Sequence, residues 1–554
     1  MLGLMQDRPL LISSLIEYAA AYHPQQEIIS RTVEGGTVRS NYEQVHRRSK
    51  RLANALAKLG LSEGDRVGTL AWNTHRHLEM YFGVSGSGAV LHTVNPRLFP
   101  EQIEYIVNHA EDSVLCFDSC FAPLVAKLAP QLKTVRHYVA MTDPEHMAAL
   151  AAMGIPNLLC YEDLLAGSSE DFDWPQFDER TASSLCYTSG TTGHPKGVLY
   201  SHRSTVLHSL KASGADTFGV SPASSILMIV PLFHANAWGL PYACAMNGAK
   251  MVLPAQHLDG ESVYRLLRDE RVNYSTAVPT VWLMLFQYLD AHPEINPRDE
   301  LVLRVAGVGG SAAPAAMIER FEKQFGATLM QGWGMTETSP IGVINTLLPQ
   351  HAGLGEAEQL RIKLKQGRAL WGVELRIEDD EGQALPHDGK AFGRLKVRGP
   401  WIASGYFKAE HDALDNDGWF DTGDVANIDP EGYVQLVDRA KDVIKSGGEW
   451  ISSIDLENAT MSHPAVAEAA VIGVPHPKWQ ERPLLIVVKR PDQDVTPAEL
   501  LAFLAGKVVR WWVPDDVVFV DALPHTATGK LLKLKLRETY RNYVLPTAQD
   551  ERTA

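Results

Sequence analysis

Residues 185–201, LCYTSGTTGHPKGVLYS, constrain this chain more than any other stretch. Leu185, Cys186 and Tyr187 have the apolar character of a buried strand, and Val198, Leu199 and Tyr200 resume it. Between them lie the hydroxyls of Thr188, Ser189, Thr191 and Thr192, the glycines Gly190 and Gly193, a His194-Pro195 step and Lys196, with Gly197 following. Such a loop binds phosphate for a plain reason. Glycines let backbone N–H groups turn towards one anion, hydroxyls donate further hydrogen bonds, and the lysine supplies counter-charge. A Walker A loop is excluded, because Gly197 rather than Ser or Thr follows Lys196 and the glycine spacing is shorter.

With 554 residues the chain exceeds a single core and is expected to divide into at least two domains. A hydrophobic content of 45% and a charged content of 21% are those of a globular enzyme. A net charge of −15 argues against a nucleic-acid-binding surface and leaves room for local basic pockets. Cys116, Cys120, Cys160, Cys186 and Cys244 have neither metal-ligand nor framework spacing and read as free thiols of a reducing compartment. The N-terminal residues lack a leader pattern, and no apolar run approaches the roughly eighteen residues of a membrane span. A cytoplasmic protein without an integral membrane segment is expected.

Helix and strand patterns alternate from Ser40 onward. Val45, Leu52, Leu56 and Leu59 share one face of a helix over 41–59, with Gly60 at its C-terminal cap. Strands at 66–71, 90–94 and 113–117, with a helix at 100–108, predict a mainly parallel sheet covered by helices. Residues 142–178 read as loop. Ser201 caps a helix to about Ser213, and a strand at 225–230 runs into PLFHANAWG, residues 231–239. An aromatic-His-x-Asn-x-Trp cluster past the carboxyl end of a strand lies where ligands collect in open α/β sheets. Further on come a strand at 301–305, a glycine loop at 307–312, a helix at 314–325, a strand at 328–331 and an exposed loop at 347–358. Strands at 372–377 and 393–397 read as antiparallel, and the last hundred residues alternate helix and strand.

YTSGTTGHPKGV, residues 187–198, resembles the AMP-binding signature of the acyl-adenylate-forming enzymes: acyl-CoA synthetases, firefly luciferases and nonribosomal adenylation domains. Later motifs fall in that family's order, and the resemblance covers nearly the whole chain. It implies an α/β fold with a large N-terminal domain of αβ-layered sheets plus a β-barrel-like part (1–437), a hinge (438–443) pivoting at Lys441, and a small mobile α+β C-terminal domain (444–554). It implies ATP, Mg²⁺ and CoA. Thr188, Ser189, Gly190, Thr191, Thr192, Gly193 and Lys196 would hold phosphates, and Gly310, Ser311, Ala312, Gln331, Gly332, Trp333, Gly334, Met335 and Thr336 the adenine side, with Trp333 where many relatives carry Tyr. Glu337 and Thr188 would hold the metal. Asp424 would clamp ribose, Arg439 would contact ribose or phosphate, and Lys445 would approach the nucleotide. His234, Ala235, Trp238, Gly307, Val308, Gly309 and Gly332 would surround the acyl chain, with Trp238 as its gate. Ser446, Gly447, Gly448, Glu449 and Trp450 would face CoA. LPHTATGK, residues 523–530, resembles the family's final signature and makes Lys530 the lysine of adenylation.

The implied reaction has two halves. A carboxylate and ATP give acyl-adenylate and pyrophosphate, then the CoA thiol displaces AMP. PLFHANAWGLPY and ALPHTATGK are most similar to the branch of bacterial medium-chain fatty acyl-CoA synthetases and methylmercaptopropionate-CoA ligases. A short- to medium-chain acid is expected, and the resemblance also implies a homodimer. Three rivals share parts of the pattern: a carrier-loading adenylation enzyme, a luciferase-type oxygenase and a non-catalytic nucleotide sensor.

Overall fold

The computed structural model describes all residues except Leu2, 189–193, 411–412, Gly448, Asp492, 526–530 and 551–554, and gives the backbone alone for 449, 450, 549 and 550. The chain is a mixed α/β protein. Its residues pack into two compact units, one of 1–364 with 369–373 and 399–414, the other of 365–368 and 374–398 with 415–554. The 438–443 segment runs inside the second unit.

The first unit holds two sheets. One is seven-stranded, in the order Leu158–Cys160, His137–Ala140, Asp112–Phe117, Arg66–Leu70, Val90–Thr93, Ala182–Tyr187, Gly197–Ser201. All its neighbours are parallel except the last pair. In the other sheet, Thr328–Gly334, Val305–Val308, Tyr274–Ala277, Ser225–Leu227, Lys250–Leu253 and Glu27–Arg31 run parallel, with antiparallel partners at Ile341–Ile344 and Thr37–Asn41. The helix Tyr42–Lys58 matches its amphipathic pattern, with the Asn41 side chain accepting from Gln44 N–H and Gly60 left-handed just past its end.

Several elements differ from, or are absent in, the sequence reading. His75–Gly86, for which no element is expected, is a helix buried along its whole length although it carries His75, Arg76, His77 and Glu79. Those side chains find partners: Arg48 and Tyr161 bind Glu79, Glu34 and Glu162 bind Arg76, Thr69 pairs with His77, and Ser30 contacts His75. A polar sequence can occupy the interior when every charge is paired. Residues 142–178, expected as loop, contain the edge strand Leu158–Cys160 and the helix Tyr161–Ala166. The strand expected at 301–305 lies at Val305–Val308, and that at 225–230 ends at Leu227. The expected loop at 347–358 contains a 3₁₀ turn, Pro349–Gly353, and starts the helix Glu356–Lys363.

In the second unit, Glu374–Glu378, Phe392–Arg398, Phe420–Ile428 and Tyr433–Arg439 form an antiparallel ladder. The C-terminal part is built on the hairpin of Val466–His476 and Gln480–Lys489, with Asp516–Phe519 parallel to the latter. Period-two alternation gives this sheet two cores. Val471, Leu485 and Val487 pack with Leu456, Leu500 and Leu504, whereas Ala470, Ile472, Leu484 and Ile486 pack with Leu523, Leu536 and Leu545.

Candidate active site

The signature strands form a hairpin in which Tyr187 stands opposite Gly197. Its base is closed by Thr188 N–H donating to the Lys196 carbonyl at 2.9 Å and Lys196 N–H donating to Thr188 Oγ1 at 3.3 Å. Ser189, Gly190, Thr191, Thr192 and Gly193 lie outside the described residues. The Lys196 ammonium sits 4.7 Å from the centre of the Tyr406 ring. The Tyr406 hydroxyl donates to Glu337 Oε1 at 2.7 Å. Glu337, 5% exposed, lies in the turn Thr336–Thr338. The Tyr200 hydroxyl donates to the Thr336 carbonyl at 2.7 Å, and Ala403 N–H donates to the Glu337 carbonyl at 2.8 Å. Thr188, Lys196 and Glu337 therefore converge, with Tyr406 between the last two.

Tyr406 escaped the sequence reading, because a tyrosine after Ser-Gly carries no chemistry until its partner is known. Burial, and then the adjacent Glu337 carboxylate, push its hydroxyl well above the ordinary phenol range, so it remains a donor at any working pH. No group of three or more His, Cys, Asp or Glu among the described residues could hold a metal. An ion here would take Glu337 as its carboxylate and fill its shell with phosphate and water, the pattern Mg²⁺ favours, so the donor set fits.

The elements expected on the adenine side are cross-braced. Ala313 N–H donates to Gln331 Oε1 at 3.1 Å, and Gln331 Nε2 donates to the Lys363 carbonyl at 2.9 Å. Gly310 has φ +83°. Trp333 is 7% exposed and lies on Gly342, where a Cβ would come within 2.7 Å of its ring. A Cβ on Gly334 would stand 1.7 Å from the Pro340 carbonyl oxygen, so only glycine fits.

Among the residues expected around the acyl chain, Ala235 to Gly239 show the least ordinary backbone. Ala235, Asn236, Ala237 and Trp238 have φ of 43°, 53°, 48° and 59°, and Gly239 follows at 75°. This is a left-handed helical turn, costing about 1–2 kcal/mol for each L-residue. Asn236 anchors it. Its Nδ2 donates to Ser184 Oγ at 2.9 Å, and its Oδ1 accepts from Tyr81 at 3.5 Å and from the Cys186 thiol at 3.6 Å. The turn lays the Trp238 indole on Gly309, where a Cβ would come within 2.5 Å of the ring. Two residues earlier, a Cβ on Gly307 would meet the Thr276 methyl at 2.6 Å. Val308, between the glycines, packs into the opposite hydrophobic core with Ala306.

Within the second unit, Asp424 and Arg439 are cross-strand partners, with Arg439 Nε 2.9 Å from Asp424 Oδ1. Asp424 is 3% exposed. Burial lowers the Lys441 ammonium from its ordinary value. Lys445 Nζ is 3.3 Å from Asp380, and Ser446 Oγ accepts from Arg482 at 3.3 Å. Gly447, at φ +61°, is backed by Trp479 and Trp511. Glu449 and Trp450 pair through their backbones with Ser446 and Lys445, and Gly448 lies outside the described residues. So does Lys530. The segment carrying it is flanked by a bridge between His525 and Leu531 and by Leu532 N–H donating to the Pro524 carbonyl at 2.8 Å. Lys533, which no sequence signal marked, is half-buried 2.8 Å from Glu457 and also bonds Ser453, whose N–H donates to Asp438 at 3.0 Å.

Comparison with known proteins agrees with this geometry. Residues 16–407 match the AMP-binding enzyme family, and 455–530 match the AMP-binding enzyme C-terminal domain. The chain is 52% identical over 543 residues to a 3-methylmercaptopropionyl-CoA ligase of Ruegeria lacuscaerulensis, covering 98% of this chain and 99% of that protein. It is 48% identical over 545 residues to a medium-chain-fatty-acid–CoA ligase of Ectopseudomonas oleovorans, covering 98% of each. The crystal structure of ATP-bound MatB from Rhodopseudomonas palustris superposes with a TM-score of 0.80 at 26% identity, covering 96% of this chain and 99% of that one. Signature hairpin, buried carboxylate and matched length lead to one assignment: the chain belongs to the AMP-binding enzyme family.

Proposed function

We propose that this chain is an AMP-forming acyl-CoA ligase that activates a short- to medium-chain carboxylic acid, 3-methylmercaptopropionate or a fatty acid, through an acyl-adenylate. The observation that carries the reading is the convergence of Thr188, Lys196, Tyr406 and Glu337 beside the signature hairpin. A carboxylate attacking the α-phosphate of ATP brings like charges together, so fixed positive charge and donors aimed at the phosphates lower the barrier. Lys196 supplies charge from one side, steadied over the Tyr406 face. The hairpin loop, 188–196, holds the leaving phosphates. Glu337, fixed by Tyr406, and Thr188 would hold Mg²⁺, which when bound neutralises phosphate charge. Lys530 would add its charge at the α-phosphate.

Asp424 would accept from the ribose hydroxyls, with Arg439 paired to its carboxylate. Gly310, Ser311, Ala312, Gln331, Gly332, Trp333, Gly334, Met335 and Thr336 would bound the adenine, and His234, Ala235, Trp238, Gly307 and Gly309 the acyl chain. Lys445 and the 446–450 turn would serve the nucleotide and CoA. Rotation of 444–554 about Lys441 would withdraw Lys530 between half-reactions. The free cysteines favour a cytoplasmic setting, and no helix among the described residues is long and apolar enough to cross a membrane. The assembly we propose is a homodimer.

The test is carboxylate-dependent ATP–pyrophosphate exchange over short, medium, aromatic and sulfur-containing acids, followed by thioester formation with free CoA. Exchange and thioester with short or medium acids are expected, and exchange without thioester would overturn the ligase assignment. Lys530→Ala should lose exchange by several orders of magnitude yet convert supplied acyl-adenylate to thioester. Equal loss of both would sink the two-orientation account.

A further inference from the structure

The helix Lys533–Thr539 starts directly after Leu532, and so continues from the motif at 523–530. It has seven residues, of which only Leu536 is buried. A helix that short does not hold itself, and one apolar contact fixes its placement poorly. Its charges supply the rest. Lys533 and Arg537 are four residues apart and share one face. Lys533 Nζ lies 2.8 Å from Glu457 and bonds Ser453 Oγ, and Ser453 gives both its N–H and its hydroxyl to Asp438. Arg537 pairs with Asp442. Asp438 and Asp442 stand on either side of Lys441, so one face of this helix reaches both flanks of the proposed pivot.

Asp438 is fixed from its other side as well. It stands opposite Val425 in the antiparallel ladder, and the carbonyl of its neighbour Val437 accepts from Ser452 Oγ at 2.6 Å. The Lys533 and Glu457 side chains keep only 10% and 14% of their surface exposed, too little for water to replace either partner. Burial pushes the Glu457 carboxyl up, against the pull of Lys533, so desolvation offsets much of the attraction. The net gain in stability from such a cluster is small, and its directed contacts chiefly fix geometry.

Resting on the ligase reading above, we infer that Lys533 and Arg537 are positioning residues for adenylation. By gripping both flanks of the pivot they fix their helix, and with it the direction in which the preceding motif presents Lys530. Lys530 serves only the half-reaction that makes acyl-adenylate. A residue acting through it therefore affects that half alone, whereas a residue needed only for folding lowers both halves together.

The test uses the full-length chain with 3-methylmercaptopropionate and hexanoate, and compares ATP–pyrophosphate exchange with thioester formation from supplied acyl-adenylate and CoA. Lys533→Met keeps an unbranched stem and removes the charge. Its maximal exchange rate should fall about ten- to hundredfold, the scale of a catalytic group misplaced by about 1 Å, with KM for the acid within about twofold of wild type. Thioester formation should stay within about twofold. In a Lys530→Ala background the same substitution should lower residual exchange by less than about twofold, because the group it aims is already gone. Should Lys533→Met not fold, Arg537→Gln, at a more exposed side chain, should show the same split between half-reactions. Arg537→Lys should hold exchange within about threefold of wild type. Unchanged exchange, equal loss in both halves, or an undiminished further loss on top of Lys530→Ala overturns the inference. Absence of exchange by wild type with every acid would instead remove the ligase reading itself, and the inference with it.

Discussion

Tyr406→Phe removes one oxygen atom and isolates the link between the signature hairpin and Glu337. The lost contact is a 2.7 Å hydrogen bond to a carboxylate that is 5% exposed, so water replaces it poorly. A hydrogen bond to a charged group is worth about 1.5–3 kcal/mol, and the carboxylate is left to reorient. If that energy is expressed when the phosphates are gripped, it corresponds to a loss of roughly 10- to 150-fold. The phenyl ring remains under Lys196, so the cation–ring contact survives. The assay is ATP–pyrophosphate exchange titrated with Mg²⁺, beside thioester formation from supplied acyl-adenylate. Exchange should fall by one to two orders of magnitude with a higher Mg²⁺ requirement, whereas thioester formation should stay within about twofold. Because the Tyr406 hydroxyl is held protonated, the deficit should not change between about pH 6 and pH 9. Unchanged exchange, or equal loss in both half-reactions, refutes the assignment of Tyr406 as the residue that positions Glu337.

Two further perturbations follow from the geometry. Gly309→Ala puts a methyl within 2.5 Å of the Trp238 ring and must shift the indole, so the order of preference among acids of different length should change while KM for ATP stays within about twofold. Asp118 accepts from Trp72 N–H at 2.7 Å and is pushed up by burial to about 7, far above the ordinary aspartate range. A carboxyl raised in this way stabilises the fold below its unfolded value, and that contribution is lost as pH rises through about 7, by up to ~4 kcal/mol. Urea unfolding should therefore show stability falling from about pH 4 to pH 8 in wild type and a flatter profile in Asp118→Asn. Parallel profiles would contradict the assignment.

Much of the fold was legible because it obeys local rules. The helix Tyr42–Lys58 has its cap, stripe and terminal glycine in one place, and the C-terminal hairpin alternates between two cores. The signature hairpin could be anticipated from its motif, whereas the pairing of Asp424 with Arg439 emerges only from the strand register. The helix His75–Gly86 could not, since its burial depends on charges supplied from Glu34, Arg48 and Glu162. Tyr406 was equally silent. It acts through Glu337, 69 residues away in the sequence, and no local pattern encodes such a pairing.

The left-handed turn at Ala235–Trp238 also sets a rule for chemical editing of this site. Seen in a mirror it is an ordinary helical turn, so D-alanine at 235 or 237 would occupy it without the penalty that the natural L-residues bear. The backbone at those two positions is of the hand that a mirror-image residue adopts without strain. Semisynthesis with mirror-image residues would thus firm the support beneath Trp238 while leaving the indole unaltered.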